Sequence, residues 1–303
     1  MAERLTQDSH RPDCAVPDVS SAANRASVPH SLCGGKTIMS KGGGLPGACW
    51  CAVDHGGQIV EVHWGVGRHV LGAGAWPLEL EVDGLAVLPP ARWEEVCRQT
   101  EDGVEYVELE GRAGRGIRVC RHVMVAQKDG FLFLADAIVL CRPAELRYSA
   151  ILPLGRKIIC EPAAETWEAR LVDGRRRAWV LPLALPEWRE DPRRGELVPV
   201  ESGLALRRLA KGRALFAPLF IDLNARRQGK PLTWRALTVA ENFRIQPADV
   251  AVGYRVQIGS QQWLVYRSLG PKGNRSLLGH NLVSETLIAR FAKGQVEPLI
   301  EIE

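Results

Sequence analysis

Two apolar-rich arms, Ile117–Gln127 and Phe131–Leu140, flank the tripeptide Lys128-Asp129-Gly130. The tripeptide has the chemistry of a three-residue hairpin loop, in which Gly130 takes the left-handed conformation that closes a type I turn with a bulge. Counting outward from such a loop pairs Gln127 with Phe131 and sets His122 opposite Asp136. The first arm places Ile117, Val119, Val123 and Val125 on one face and Arg118, Cys120, His122 and Met124 on the other. The second arm is apolar on both faces except at Asp136. A strand of that kind is central and covered on each side. Asp136 therefore needs a partner, since an unpaired buried carboxylate is costly and tends to neutralise.

The rest of the chain repeats the pattern. GGQIVEVHWG, PLELEVDG, WEEVCRQ, VEYVELEG, ELRYSAILPL, TWEARLV, RRRAWVLPLAL, ALFAPLFIDL, LTWRALTVA and YRVQIGSQQWLVYRSL are short apolar-polar runs, broken by turn residues such as Asp83-Gly84, Asp102-Gly103 and Asp173-Gly174. This texture predicts antiparallel β architecture. Pro182, Pro186 and Pro218 lie in or beside apolar runs and predict edge strands or bends there. A single helix is expected over 284–292, where Ser284 is a cap and Leu287, Ile288 and Phe291 fall at helical spacing. Residues 1–46, rich in Ser, Ala, Gly and Pro, read as a disordered N-terminal extension, and 47–303 as one large β-sandwich domain.

Composition excludes some function classes. A net charge of +4 over 303 residues does not mark a dedicated nucleic-acid binder. No apolar run approaches the ~20 residues of a membrane span, and the N-terminus lacks a secretory core. The eight cysteines form no C-x-x-C pair and read as reduced, small apolar residues. Cytoplasmic is the default compartment; a fragment of a secreted or periplasmic protein would share these features. Arg supplies 31 of the 39 basic residues, a bias that suits planar recognition of carboxylates and sulfates and equally follows from GC-rich coding.

The segments VEYVELEG (Val104–Gly111) and IRVCRHVMVAQKDGFLFLADAI (Ile117–Ile138) resemble the β-sandwich domain of the heparinase II/III-like polysaccharide lyases. The resemblance covers about a quarter of the chain. It implies a large antiparallel, supersandwich-like β fold and a carbohydrate-associated role. The lyases also carry a helical toroid with the catalytic Tyr and much of the sugar cleft, and this sequence shows no helical half. Some members hold a structural Zn²⁺ through His and Asp on the sandwich, which would be His122 and Asp136 here, with His63 or His69 as a third ligand. The simpler reading is that Asp136 pairs with His122, Arg118 or Arg121 to satisfy a buried acid, with no cofactor.

Elimination on a uronate needs a base and a cation that neutralises the carboxylate. The long connection 267–281, between the strand ending at Tyr266 and the expected helix, concentrates suitable groups. Arg267 is the candidate neutraliser, and His280, Tyr254 or Tyr266 the candidate base. Arg275, Asn274 and Asn281 are candidate sugar contacts, although Asn and Gly there also serve turn geometry. Trp167, Trp179 and Trp188 surround Arg175-Arg176-Arg177, and Arg175 with Trp179 makes a candidate anionic-glycan patch. Half-buried packing is the alternative for these tryptophans. The expectation is an acidic-polysaccharide-binding sandwich without complete catalytic machinery. The alternatives are a lyase acting by β-elimination and a structural protein with no sugar ligand.

Overall fold

The computed structural model describes residues 35–39, 47–174, 176–190 and 194–303. The chain fills its sheets nearly in order. β1 (Lys36–Met39), β2 (Cys49–Asp54), β3 (Glu61–Val66) and β4 (His69–Ala75) form a four-stranded meander. An eleven-stranded sheet follows. It contains β5 (Leu78–Val82), β6 (Leu85–Val87), β7 (Trp93–Glu101), β8 (Val104–Ala113), β9 (Ile117–Ala126) and β10 (Phe131–Pro153). It continues with β11 (Ile159–Pro162), β12 (Ala169–Val172), β13 (Arg176–Pro182), β14 (Gly195–Val200) and β15 (Gly203–Asp222). A 3-10 turn at Ala225–Arg227 leads on to β16 (Leu232–Leu237), β17 (Val239–Glu241), β18 (Arg244–Ile245), β19 (Ala251–Ile258) and β20 (Gln261–Ser268). The last strands are β21 (Arg275–Leu277), β22 (His280–Leu282), β23 (Thr286–Ala292) and β24 (Gln295–Ile302). Strands β16-β19-β20-β23-β24 make a five-stranded sheet, and β18-β17-β21-β22 a small one. All strand pairings are antiparallel, so the fold is all-β as the alternation predicts.

The large sheet is ordered β11-β12-β13-β15-β10-β9-β8-β7, with β10 and β15 as its spine. Its two faces meet different layers. Even-numbered residues of β8 and β9, such as Glu108 and His122, face the five-stranded sheet, because Glu108 meets Arg267 of β20. The odd-numbered face of β9 turns to the meander, because Arg121 donates to the Trp76 carbonyl just beyond β4. Burial on both faces explains why the first half of β10 reads as apolar on both sides.

The structure corrects several expectations. The β9–β10 connection spans Gln127–Gly130, with Gly130 at φ 68 and its N–H bonded to the Ala126 carbonyl at 2.7 Å. The register therefore pairs Ala126 with Phe131, His122 with Ala135 and Arg121 with Asp136. Since the side-chain period is two, this one-residue slip puts His122 and Asp136 on opposite faces, so they share no metal ion. The expected C-terminal helix is strand β23, paired with β20 and β24. Lys293 and Gly294, at φ 53 and 77, make the hairpin turn that turns this segment into a sheet member. The connection after Tyr266 is not one long loop, because β21 and β22 form a hairpin within it. Pro218 lies in β15, which is central rather than an edge. β15 bonds β14 along Gly203–Arg208 and β13 along Leu219–Asp222, and Pro218 falls between them, where no ladder N–H is needed. Of the stretch 1–46, residues 35–39 are described, and Lys36–Met39 is a strand paired with β2, not disordered; the rest lies outside the described residues.

Candidate functional site

Several residues that sequence suggests for chemistry are spent on holding layers together. Asp136, fully buried, accepts from Arg121 Nε at 3.0 Å and from the Tyr148 hydroxyl at 2.9 Å. Burial raises its carboxyl above the usual range, against the pull of Arg121. The Arg121 guanidinium is stacked 4.2 Å from the Trp76 ring and 5.0 Å from that of Trp93. Arg121–Asp136 is therefore a sealed structural pair.

On the opposite face, the Tyr106 hydroxyl lies 2.7 Å from His122 Nδ1 and donates to Glu108 Oε2 at 3.1 Å. Arg267 ion-pairs with Glu108 at 3.3 Å and with Glu285 at 2.8 Å, and donates to the Thr286 hydroxyl. Burial lowers the His122 pKa to about 3, so the imidazole is neutral near pH 7. Burial works against ionisation of Glu108, but the Arg267 guanidinium and the Tyr106 hydroxyl favour it and hold the carboxyl below its usual range. Arg267 is 2% exposed and cannot meet a polymer.

Arg275, equally buried, donates to the Pro271 carbonyl at 2.6 Å, to the Tyr266 hydroxyl at 3.3 Å and to Ser268 Oγ, and pairs with Glu241 at 3.4 Å. It staples the small sheet to β20, and Tyr266 is enclosed with it. Asn274 and Asn281 are exposed and His280 is half-buried, on or beside the small sheet. Trp179 is half-buried on β13 with Arg170 5.7 Å from its ring, whereas Arg175 lies outside the described residues. Among the described residues no three His, Cys, Asp or Glu side chains converge as metal ligands.

Of the candidate catalytic residues, Tyr254 lines a cleft of about 650 Å³. One wall is the chain leaving β13, from Leu183 to Trp188; the other is β16 with β19, whose Tyr254 pairs with Ala236. The walls are braced by Trp234 Nε1 donating to the Leu185 carbonyl at 3.0 Å and by the Thr233 hydroxyl donating to Glu187 Oε2 at 2.6 Å. Arg208 of β15 enters from the large sheet and donates to the Ala184 carbonyl. Its buried Nε has no hydrogen-bond partner among the described residues. Burial pushes Tyr254 up to about 12, with Arg208 opposing, so the residue is a phenol at neutral pH. Burial also lowers the Arg208 pKa, although a guanidinium stays charged at pH 7. Trp188, 51% exposed, and Ile245, 74% exposed, form the apolar rim. A cation with a spare donor, a phenol and an exposed indole face together suit a ring that carries a carboxylate.

The sequence carried a signal for Arg208. In LALRRLA (204–210), Leu204 and Leu206 are core residues, and period-two alternation points Arg208 the same way and Arg207 outward.

No family model matches this chain, and no curated protein matches it in sequence. Among solved structures, it is similar to a mutant of the heparan sulfate lyase HepC from Pedobacter heparinus. That match has a TM-score of 0.51 at 9% identity, over 74% of this chain and 40% of the lyase. The fold is heparinase-like. A second HepC structure matches at TM-score 0.49 and 9% identity over the same shares, 74% and 40%. The Slr1438 protein from Synechocystis sp. PCC 6803 is similar at TM-score 0.38 and 11% identity, over 67% of this chain and 99% of that one. This chain thus spans about 40% of the length of the lyases it matches. Among the described residues, no helix is long and apolar enough to cross a membrane.

Proposed function

We propose that this chain is a carbohydrate-binding β domain that takes acidic polysaccharide in the Arg208–Tyr254 cleft and carries out no elimination. The observation behind this reading is the unpartnered Nε of Arg208, buried in a cleft with a tyrosine hydroxyl and an exposed Trp188 face. A uronate carboxylate supplies the missing acceptor, and the apolar side of the sugar ring covers the indole. Elimination is disfavoured because Tyr254, pushed up to about 12, holds its proton and acts as a donor, not a base. Of the other candidates for that chemistry, Arg267 and Tyr266 are buried in structural contacts, and His280, half-buried on β22, does not line the cleft.

Calorimetric titration with oligouronates and with their carboxyl-reduced counterparts tests the reading. Arg208→Gln and the rim variant Trp188→Ala should each weaken uronate binding by about tenfold or more. Equal affinity for acid and reduced oligosaccharides, or for wild type and both variants, would overturn it. Appearance of the ultraviolet absorbance of unsaturated uronate would instead identify a lyase.

A further inference from the structure

A second recess, of about 470 Å³, shares no lining residue with the Arg208–Tyr254 cleft. It forms where three connections meet. The β3–β4 turn supplies Arg68 and leads into His69 at the start of β4; the β10–β11 connection supplies Arg156 and Lys157; the β12–β13 turn supplies Asp173. The middle arm is a tight turn. Ile158 N–H donates to the Gly155 carbonyl at 2.8 Å, and Gly155 N–H donates to the Leu71 carbonyl at 2.9 Å. A Cβ at Gly155 would meet the Val70 carbonyl at 3.3 Å, so the backbones of β4 and this turn approach closely. The backbone that carries Arg156 and Lys157 is thereby held against β4, and their side chains line the same recess as Arg68.

The charge balance of the recess is uneven. The one carboxylate among its described lining residues, Asp173, lies 3.9 Å from His69 Nδ1. Arg68, Arg156 and Lys157 have no ion-pair partner among the described residues, and all three are exposed. Three cations brought together, Arg68 on one arm and Arg156 with Lys157 on another, repel one another until an anion sits between them. A carboxylate, planar with two oxygens, meets at most two of these three cations well. A tetrahedral oxyanion presents acceptors in several directions and suits a guanidinium fork and a lysine point charge approaching from different sides.

We propose that this recess binds a tetrahedral oxyanion, a sulfate ester or a phosphate, through Arg68, Arg156 and Lys157. The site is independent of the uronate cleft, and either can fail without the other. The test is titration of the full chain, followed by the ring resonances of His69, with inorganic sulfate, inorganic phosphate, a monosulfated monosaccharide and its unsulfated parent. Saturable binding of the oxyanions with a dissociation constant of about 1 mM or tighter is expected. The double variant Arg156→Ala/Lys157→Ala should weaken it by about tenfold or more, and Arg68→Ala should weaken it separately. All three positions are exposed, so the fold should tolerate the changes, and an unaltered melting temperature verifies this. Trp188→Ala should leave oxyanion binding unchanged. Tighter binding of the sulfated sugar than of the inorganic ions identifies a glycan as the source, and equal binding identifies a free anion. Absence of saturation by any oxyanion, or the same affinity in wild type and the double variant, overturns the proposal.

Discussion

Arg267 of β20 reaches across the layers to Glu108 of β8, 159 positions earlier in the sequence, and the two are 3.3 Å apart. Both are buried, and with Tyr106, His122, Glu285 and Thr286 they form a polar seam between two apolar sheets. Buried charge of this kind adds little net stability when paired and costs much when broken.

Removing one side of the pair should therefore be severe. Arg267→Met leaves Glu108 buried without its cation and should destabilise the protein by about 3–5 kcal/mol in denaturant unfolding. Glu108→Gln combined with Arg267→Met should recover part of the loss. A double variant worse than the sum of the two singles would contradict this account of the seam.

The same seam sets an acid limit. His122 has a folded pKa of about 3 against an ordinary 6.5, so the unfolded chain binds a proton that the folded protein does not. Its contribution is fully present above pH 6.5 and is lost as pH falls towards 3. Glu108, lowered as well, adds to the loss below its ordinary range. Asp136 and Asp222, both raised by burial, act in the opposite direction at and above 3.8 and offset part of it. Melting temperatures from pH 7 to 4 should fall in wild type and fall less steeply in His122→Gln. Parallel profiles would exclude His122 as the cause.

Asp129, in the β9–β10 turn, accepts from Trp263 Nε1 at 3.0 Å and from Arg290 at 2.9 and 2.7 Å. This carboxylate ties the central hairpin to β20 and β23. Asp129→Ala should cost about 2–3 kcal/mol, read by chemical denaturation. A loss under half that would mean the clamp contributes little.

Asn242 and Phe243 occupy the two-residue β17–β18 turn at φ 49 and 61, and Phe243 is fully exposed. An aromatic residue in the left-handed region is strained, and this one gains no packing in return. Phe243→Gly should raise stability by about 1 kcal/mol, visible as a higher melting temperature. A lower one would reveal a contact that the turn geometry does not account for.

Much of the fold was legible because alternation and turn chemistry agree. Asp83-Gly84 and Asp102-Gly103 close hairpins where the sequence places them, at φ 50 and 79 and at φ 26 and 84. What failed did so for local reasons. Asn242-Phe243 and Leu278-Gly279 are turns with a bulky residue in a left-handed position, so the small sheet was invisible. The helical spacing of Leu287, Ile288 and Phe291 was overruled by pairing with β20, a long-range contact that no local window contains. One residue of loop length decided the fate of His122 and Asp136. Arg267 and Arg275 look like ligand groups in sequence, since an arginine destined for a buried carboxylate reads the same as one facing solvent. Tyr254 was recognisable as a candidate, but its neighbour Arg208 comes from a strand 46 positions earlier.

The unpaired flank of the spine strand has an architectural result. Between the last rung shared with β14, at Arg208, and the first shared with β13, at Leu219, one flank of β15 carries no neighbouring strand. Leu183 N–H still bonds the Pro218 carbonyl at 3.0 Å, but the chain from Ala184 to Trp188 does not pair with the rest of this flank, and it lines the cavity around Arg208. The hollow is thus a missing strand's worth of space, set by chain topology. Its outline should outlast changes in the side chains that decorate it, leaving those side chains to determine what it accepts.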